Sequence, residues 1–105
     1  MKKIIACLLI APSIASAEFM SGNDLLNDMN GSSVNKALAL GYVIGVSDTL
    51  NKIAVCPPMN VTAGQTVDII KKHLEDNPDI RHYSADSIVA TKLGSIWPCQ
   101  RGKGV

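Results

Sequence analysis

No charge of one sign dominates this chain: ten Lys and Arg stand against nine Asp and Glu. Beyond residue 17 the basic residues (Lys36, Lys52, Lys71, Lys72, Arg81, Lys92, Arg101 and Lys103) are scattered. Binding nucleic acid takes a concentrated basic face, so nucleic acid is excluded as a partner. Long apolar runs are also missing from this part. Its longest uncharged apolar stretch, Ala37–Ser47, is about half of the roughly 20 residues a membrane helix needs. There is no CxxC pair, and His73 and His82 have no ligand-like spacing to a cysteine. Neither histidine has a nucleophile or carboxylate placed by sequence to complete a triad. Phosphate-cradling loops and paired-acid motifs are absent too. The chain is therefore expected to be no enzyme, with no cofactor and no metal.

The N-terminus does carry a pattern. Met1-Lys2-Lys3 is a positive start, Ile4–Ile14 is apolar with one break at Pro12, and Ala15-Ser16-Ala17 is a small-x-small cleavage site before Glu18. This is the layout of a secretory signal peptide over residues 1–17, too short to stay as a membrane anchor. Its removal takes Cys7 away and leaves 88 of the 105 residues, enough for one small domain. Losing Lys2 and Lys3 leaves eight basic against nine acidic side chains, a formal charge of −1. Two cysteines, Cys56 and Cys99, then remain in an oxidising compartment, where the expectation is a disulfide. It would close a loop of roughly 43 residues, worth about 4 kcal/mol in the chain-entropy model.

The rest of the pattern predicts an all-α fold: a compact four-helix domain over 18–105, with a mobile tail from about residue 100. A first helix starts near Asn23 or Asp24, buries Leu25, Leu26 and Met29, and ends at Asn30-Gly31 with glycine in the left-handed conformation. Ser32 or Ser33 caps a second helix running to about Ile53. Its middle, Ala37–Val46, is apolar on all sides, which predicts a helix surrounded by its neighbours. Gly41 and Gly45 lie one turn apart there, each costing about 1 kcal/mol relative to Ala. The expected offset is close approach by a crossing helix.

Cys56-Pro57-Pro58 cannot be helical. Thr62 and Gln65 fit a capping box opening a third helix, with Val67, Ile70 and Leu74 inward and Asp68 pairing with Lys72 on the surface. Asn77-Pro78 stops it. Ser84 caps a fourth helix with Asp86 in its first turn, burying Ile88 or Val89, Leu93 and Ile96 before Trp97-Pro98-Cys99.

Two features invite a functional reading. Asp48 follows the apolar stretch and reads best as a helix-margin acid satisfied by a local hydrogen bond, with a partner contact as the sharper alternative. The connection Asn77–Tyr83 mixes both charge signs and ends in an aromatic. Arg and Tyr are enriched at interface hot spots, and loops on rigid scaffolds carry recognition. Asp79, Arg81, His82 and Tyr83 are thus candidate partner-binding residues, against the alternative of an ordinary solvated turn.

Several segments together resemble the Rap/Tai immunity proteins of type VI secretion systems. They are Ser21-Gly-Asn-Asp-Leu-Leu26, Gly41-Tyr-Val-Ile-Gly-Val-Ser-Asp48, Cys56-Pro-Pro, Val61-Thr-Ala-Gly-Gln65, Asn77-Pro78 and Trp97-Pro-Cys99. The resemblance implies a small periplasmic helical protein that binds and inhibits a secreted effector toxin, often a peptidoglycan amidase, by blocking its cleft. Many members carry two further cysteines, where this chain has Met29 and Ala39. If those two pair with each other, Cys56–Cys99 is the second bridge and the first helix is held here by packing alone. Homodimerisation is compatible with so small a domain, though no seam is visible. The rival reading is a periplasmic acid-stress chaperone resembling the HdeA-like proteins. The low share of charged residues, 18%, gives less material for such an acid-triggered switch.

Overall fold

Ser21, Ser32 and Thr62 open three helices with the same device, a hydroxyl that accepts a backbone N–H otherwise left without a helical partner. In the computed structural model, which describes residues 19–100, the Ser21 hydroxyl accepts from the Asp24 amide at 3.1 Å and the Asp24 carboxylate accepts from the Ser21 amide at 3.1 Å. Thr62 and Gln65 form the reciprocal box at 3.1 and 2.8 Å, and Ser32 accepts from the Asn35 amide at 3.2 Å. The helices are α1 (Gly22–Met29), α2 (Ser33–Leu50), α3 (Ala63–Asp76) and α4 (Ala85–Ile96), with a 3-10 turn at Pro78–Ile80 before α4. Among the described residues the fold is all-α with four helices, as the pattern predicts. The leader expected over residues 1–17, Cys7 included, and the tail beyond residue 100 lie outside the described residues.

Leu25, Leu26 and Met29 of α1, Ala39 and Val43 of α2, Ile70 and Leu74 of α3 and Ala85, Ile88, Val89 and Leu93 of α4 form one core with Val55. Each fully buried aliphatic side chain contributes about 1.5–3 kcal/mol. Met29 and Ala39 are both buried in this cluster. Packing is not all that holds α1. Its first two amides donate out of the helix, Gly22 to the Tyr83 carbonyl and Asn23 to the Arg81 carbonyl, both at 2.9 Å.

Several expectations are corrected. α1 begins at Gly22, because Ser21 rather than a later residue caps it. It does end at Asn30, but Gly31 is not left-handed; Lys52 is the non-glycine residue with positive φ, at 69°. What favours glycine at 31 is space, since an added Cβ would lie 3.0 Å from Asn35 Nδ2 and 3.3 Å from the Asn27 carbonyl oxygen. α2 stops at Leu50, three residues short of Ile53. There the left-handed Lys52 turns the chain, its amide donating to the Val55 carbonyl at 3.0 Å, and Val55 drops into the core.

At the start of α4 the Ser84 hydroxyl caps no amide and lies 3.1 Å from the Ser87 hydroxyl instead. Both Ile88 and Val89 are buried, whereas Ile96 is 38% exposed and the partly buried Trp97 packs on the core in its place. Lys72 pairs with Asp76 at 3.1 Å rather than with Asp68. Either exposed pairing is worth a few tenths of a kcal/mol, so nothing strong selects between them. Cys56 and Cys99 form the expected disulfide, with Cα atoms 5.0 Å apart and the Cys56 amide donating to the Trp97 carbonyl at 2.8 Å. No helix among the described residues is long and apolar enough to cross a membrane.

Candidate partner-binding surface

The connection between α3 and α4 is a loop whose backbone is tied down while its side chains stay outside. Asn77 closes α3, its side-chain amide donating to the His73 carbonyl at 2.9 Å and lying 3.2 Å from His73 Nδ1. The 3-10 turn follows, and residues 81–85 then lie against 20–23. Besides the two bonds from α1, the Ala85 amide donates to the Met20 carbonyl at 2.8 Å, and Ser21 and Ser84 pair as an antiparallel bridge. Gly22 permits this approach, for an added Cβ would sit 3.0 Å from the Arg81 carbonyl oxygen.

On this scaffold Asp79, His82 and Tyr83 are exposed and Arg81 is half-buried. The His82 and Tyr83 rings lie 4.2 Å apart between centroids, tilted by 38°, within the range of favourable aromatic contacts. Arg81 Nε is buried with no hydrogen-bond partner. All four candidate residues therefore belong to one pinned segment. Tyr83 also lines a recess with His73, Ile80, Ile88 and Thr91. Burial there lowers the His73 pKa below the ordinary histidine value, the nearby Lys92 charge lowers it further, and Asp76 opposes both.

A second surface escapes the pattern-based reading. α2 was expected to be surrounded, yet it buries one stripe, Ala39, Val43 and Ser47, and leaves Val34 68% and Leu38 60% exposed. Among the described residues, no heavy atom outside the local backbone comes within 4 Å of a Cβ built on Gly41 or Gly45. The crossing helix predicted at these glycines is not there. They floor an open groove of about 610 Å³ between α2 and α4, walled by Tyr42, Val46, Leu50 and Ala90 with Asp86 at its edge. Burial raises the Tyr42 phenol pKa and the Asp86 charge adds to the rise, partly offset by the Asp86 backbone amide. The signal was present in the sequence, but a small residue facing a neighbour and a small residue facing solvent look alike in one chain.

Asp48 is exposed near the end of α2 and lines a shallow recess with Ser47, Lys52 and Met59. Among the described residues no three His, Cys, Asp or Glu side chains gather as a metal-binding set. What the surface offers is a pinned mixed-charge loop and an apolar groove. These are features of a protein that recognises another protein.

Residues 21–99 match the family model of the Rap1a immunity proteins, from the α1 cap to the second disulfide cysteine. The chain belongs to that family. It is thus an immunity protein, and its partner is a cognate secreted effector that it binds and inhibits. Immunity proteins of this kind are typically inhibitors rather than enzymes. No curated protein and no solved structure matches the immunity protein.

Proposed function

We propose that this immunity protein neutralises a peptidoglycan-degrading amidase delivered by type VI secretion, acting in the periplasm after removal of residues 1–17. The Asp79–Tyr83 loop makes the contact that covers the effector's cleft. The observation that carries the reading is that loop's architecture within an immunity-family fold. Its backbone is fixed by bonds from Gly22 and Asn23, and just beyond it the Ala85 amide donates to Met20, while the side chains of Arg81, His82 and Tyr83 are left for recognition. A preorganised loop loses little conformational freedom on docking, which favours affinity. The compartment agrees with the leader pattern and with a disulfide in a small domain. Inhibition by occlusion needs no chemistry from the inhibitor.

The test begins with capture of the partner from the host periplasm by tagged protein lacking residues 1–17, followed by its identification and purification. That partner alone should release peptides from isolated peptidoglycan by amide cleavage, and an equimolar amount of the immunity protein should stop the release. A captured effector that leaves peptidoglycan intact sinks the amidase assignment. One that cuts equally well with the inhibitor bound sinks occlusion.

A further inference from the structure

We propose that the groove between α2 and α4 is a second contact surface for the effector, receiving an apolar segment that carries a lysine or arginine opposite Asp86. The proposal rests on the immunity reading above and extends it beyond the loop. The first ground is energetic. Gly41 and Gly45 sit inside an 18-residue helix, where each costs about 1 kcal/mol relative to Ala. Neither makes room for any of the described residues, since none of them comes within 4 Å of an added Cβ. What their missing side chains create is depth in the groove. Its lining is mostly apolar, with Tyr42, Val46, Leu50 and Ala90, and the hydroxyl residues Thr49 and Ser87 beside them. Exposed Val34 and Leu38 continue the apolar face along α2, and an unpartnered surface of this kind marks an interaction site.

Charge selects the occupant. Among the described residues Asp86 is the one charged residue lining the groove, and no lysine or arginine lines it. A docked partner would strip water from that carboxylate, which is costly unless a cation meets it. A second copy placed face to face about a two-fold axis would bring groove to groove, each with an unneutralised Asp86. Self-association through this face is therefore opposed by the same charge that favours a basic partner. Position supplies the third ground. Ser87 lines both the groove and the recess beneath Tyr83, so loop and groove form one continuous surface.

The test uses the purified effector identified by periplasmic capture, in a catalytically inactive form, titrated calorimetrically with the immunity protein lacking residues 1–17. Gly45→Leu fills the groove at a position with open space, and Asp86→Lys reverses its charge. Thermal melts of both variants establish that they fold. Each is expected to weaken effector binding by about tenfold or more, the scale of one lost well-packed contact. Replacing the facing effector lysine or arginine by Asp should restore affinity for Asp86→Lys. Unchanged affinity in both variants overturns the groove while leaving immunity through the loop intact. Loss with Gly45→Leu alone overturns the basic occupant. A wild-type dimer that Gly45→Leu dissociates, with effector affinity kept, assigns the groove to a second copy instead. Failure of the wild type to bind any effector removes both this proposal and the function it rests on.

Discussion

The amide of Gly22 donates to the carbonyl of Tyr83 at 2.9 Å, tying the first turn of α1 to the loop between α3 and α4. A Cβ at position 22 would lie 2.7 Å from Ile88 Cδ1 and 3.0 Å from the Arg81 carbonyl oxygen. The isoleucine methyl can swing away, but the Arg81 backbone is held by its bond from Asn23. Gly22→Ala is therefore expected to destabilise the fold by about 1–3 kcal/mol, as overpacking typically does. It should also weaken effector binding by more than the loss of folded protein explains. Urea titration alongside calorimetry separates the two, and a neutral substitution would mean that loop and helix move independently.

Arg81 and Tyr83 test the loop itself. Tyr83 is 54% exposed and its ring lies beside His82, so truncating it removes little core area. Arg81→Ala combined with Tyr83→Ala should leave the thermal midpoint within about 2 °C of wild type, as for most surface changes. Effector affinity should fall by at least about tenfold if these are hot-spot residues. Unchanged affinity would remove the loop from the interface and leave the groove to carry binding.

Much of this fold was legible because its signals are local. The Thr62–Gln65 box, the stop at Asn77-Pro78 and the apolar spacing of Leu25, Leu26 and Met29 each need only neighbours within about one turn of helix. The disulfide was legible for a different reason: on the expectation that residues 1–17 are removed, only two cysteines remain and they leave a single pairing. Even the start of α1 had a readable sign, Ser21 three residues before Asp24, though the pattern was placed a residue or two late. What could not be read were the long-range facts. The bonds from Gly22 and Asn23 to residues 83 and 81 span the whole domain. An all-round apolar α2 predicts equally a buried helix and one whose spare face awaits a partner. The loop candidates were named from composition, which gives their chemistry but not the ties that fix them.

The same ambiguity at Gly41 and Gly45 yields a clean stability experiment. If nothing packs on them, adding a methyl meets open space and gains helix propensity. Gly41→Ala and Gly45→Ala should each stabilise the isolated protein by roughly 0.5–1 kcal/mol, with no change in the denaturant slope. Loss of stability in either would reveal a contact made by the free protein, including one with a second copy.

The disulfide links the turn after α2 to the end of α4, with 43 residues between its cysteines. Much of the chain in that loop belongs to α3 and α4, so opening the bridge frees the ends of half the domain. Replacing both Cys56 and Cys99 by Ala is expected to cost about 2–5 kcal/mol, seen as a lower urea midpoint. Against a total of about 5–15 kcal/mol, the variant should lie close to its folding threshold. A variant with wild-type stability would show that packing of α4 by Ala85, Val89 and Leu93 suffices.

Acid stability separates this protein from an acid-triggered chaperone. Burial and Lys92 hold the His73 pKa below its ordinary value, so the unfolded chain binds a proton more readily than the folded one. Stability from this group is then fully present above the unfolded value of about 6.5 and is lost as pH falls from there towards the lower folded value. The ring nitrogen facing Asn77 Nδ2 at 3.2 Å also ceases to be an acceptor once protonated, which weakens the closure of α3 in the same direction. Urea midpoints measured from about pH 7 to 5 should decline gently, and His73→Gln should flatten the decline. The slope of a single proton cannot exceed about 1.4 kcal/mol per pH unit. A steeper collapse, or one that survives in His73→Gln, would point to many groups loosening together, as a chaperone opened by acid requires.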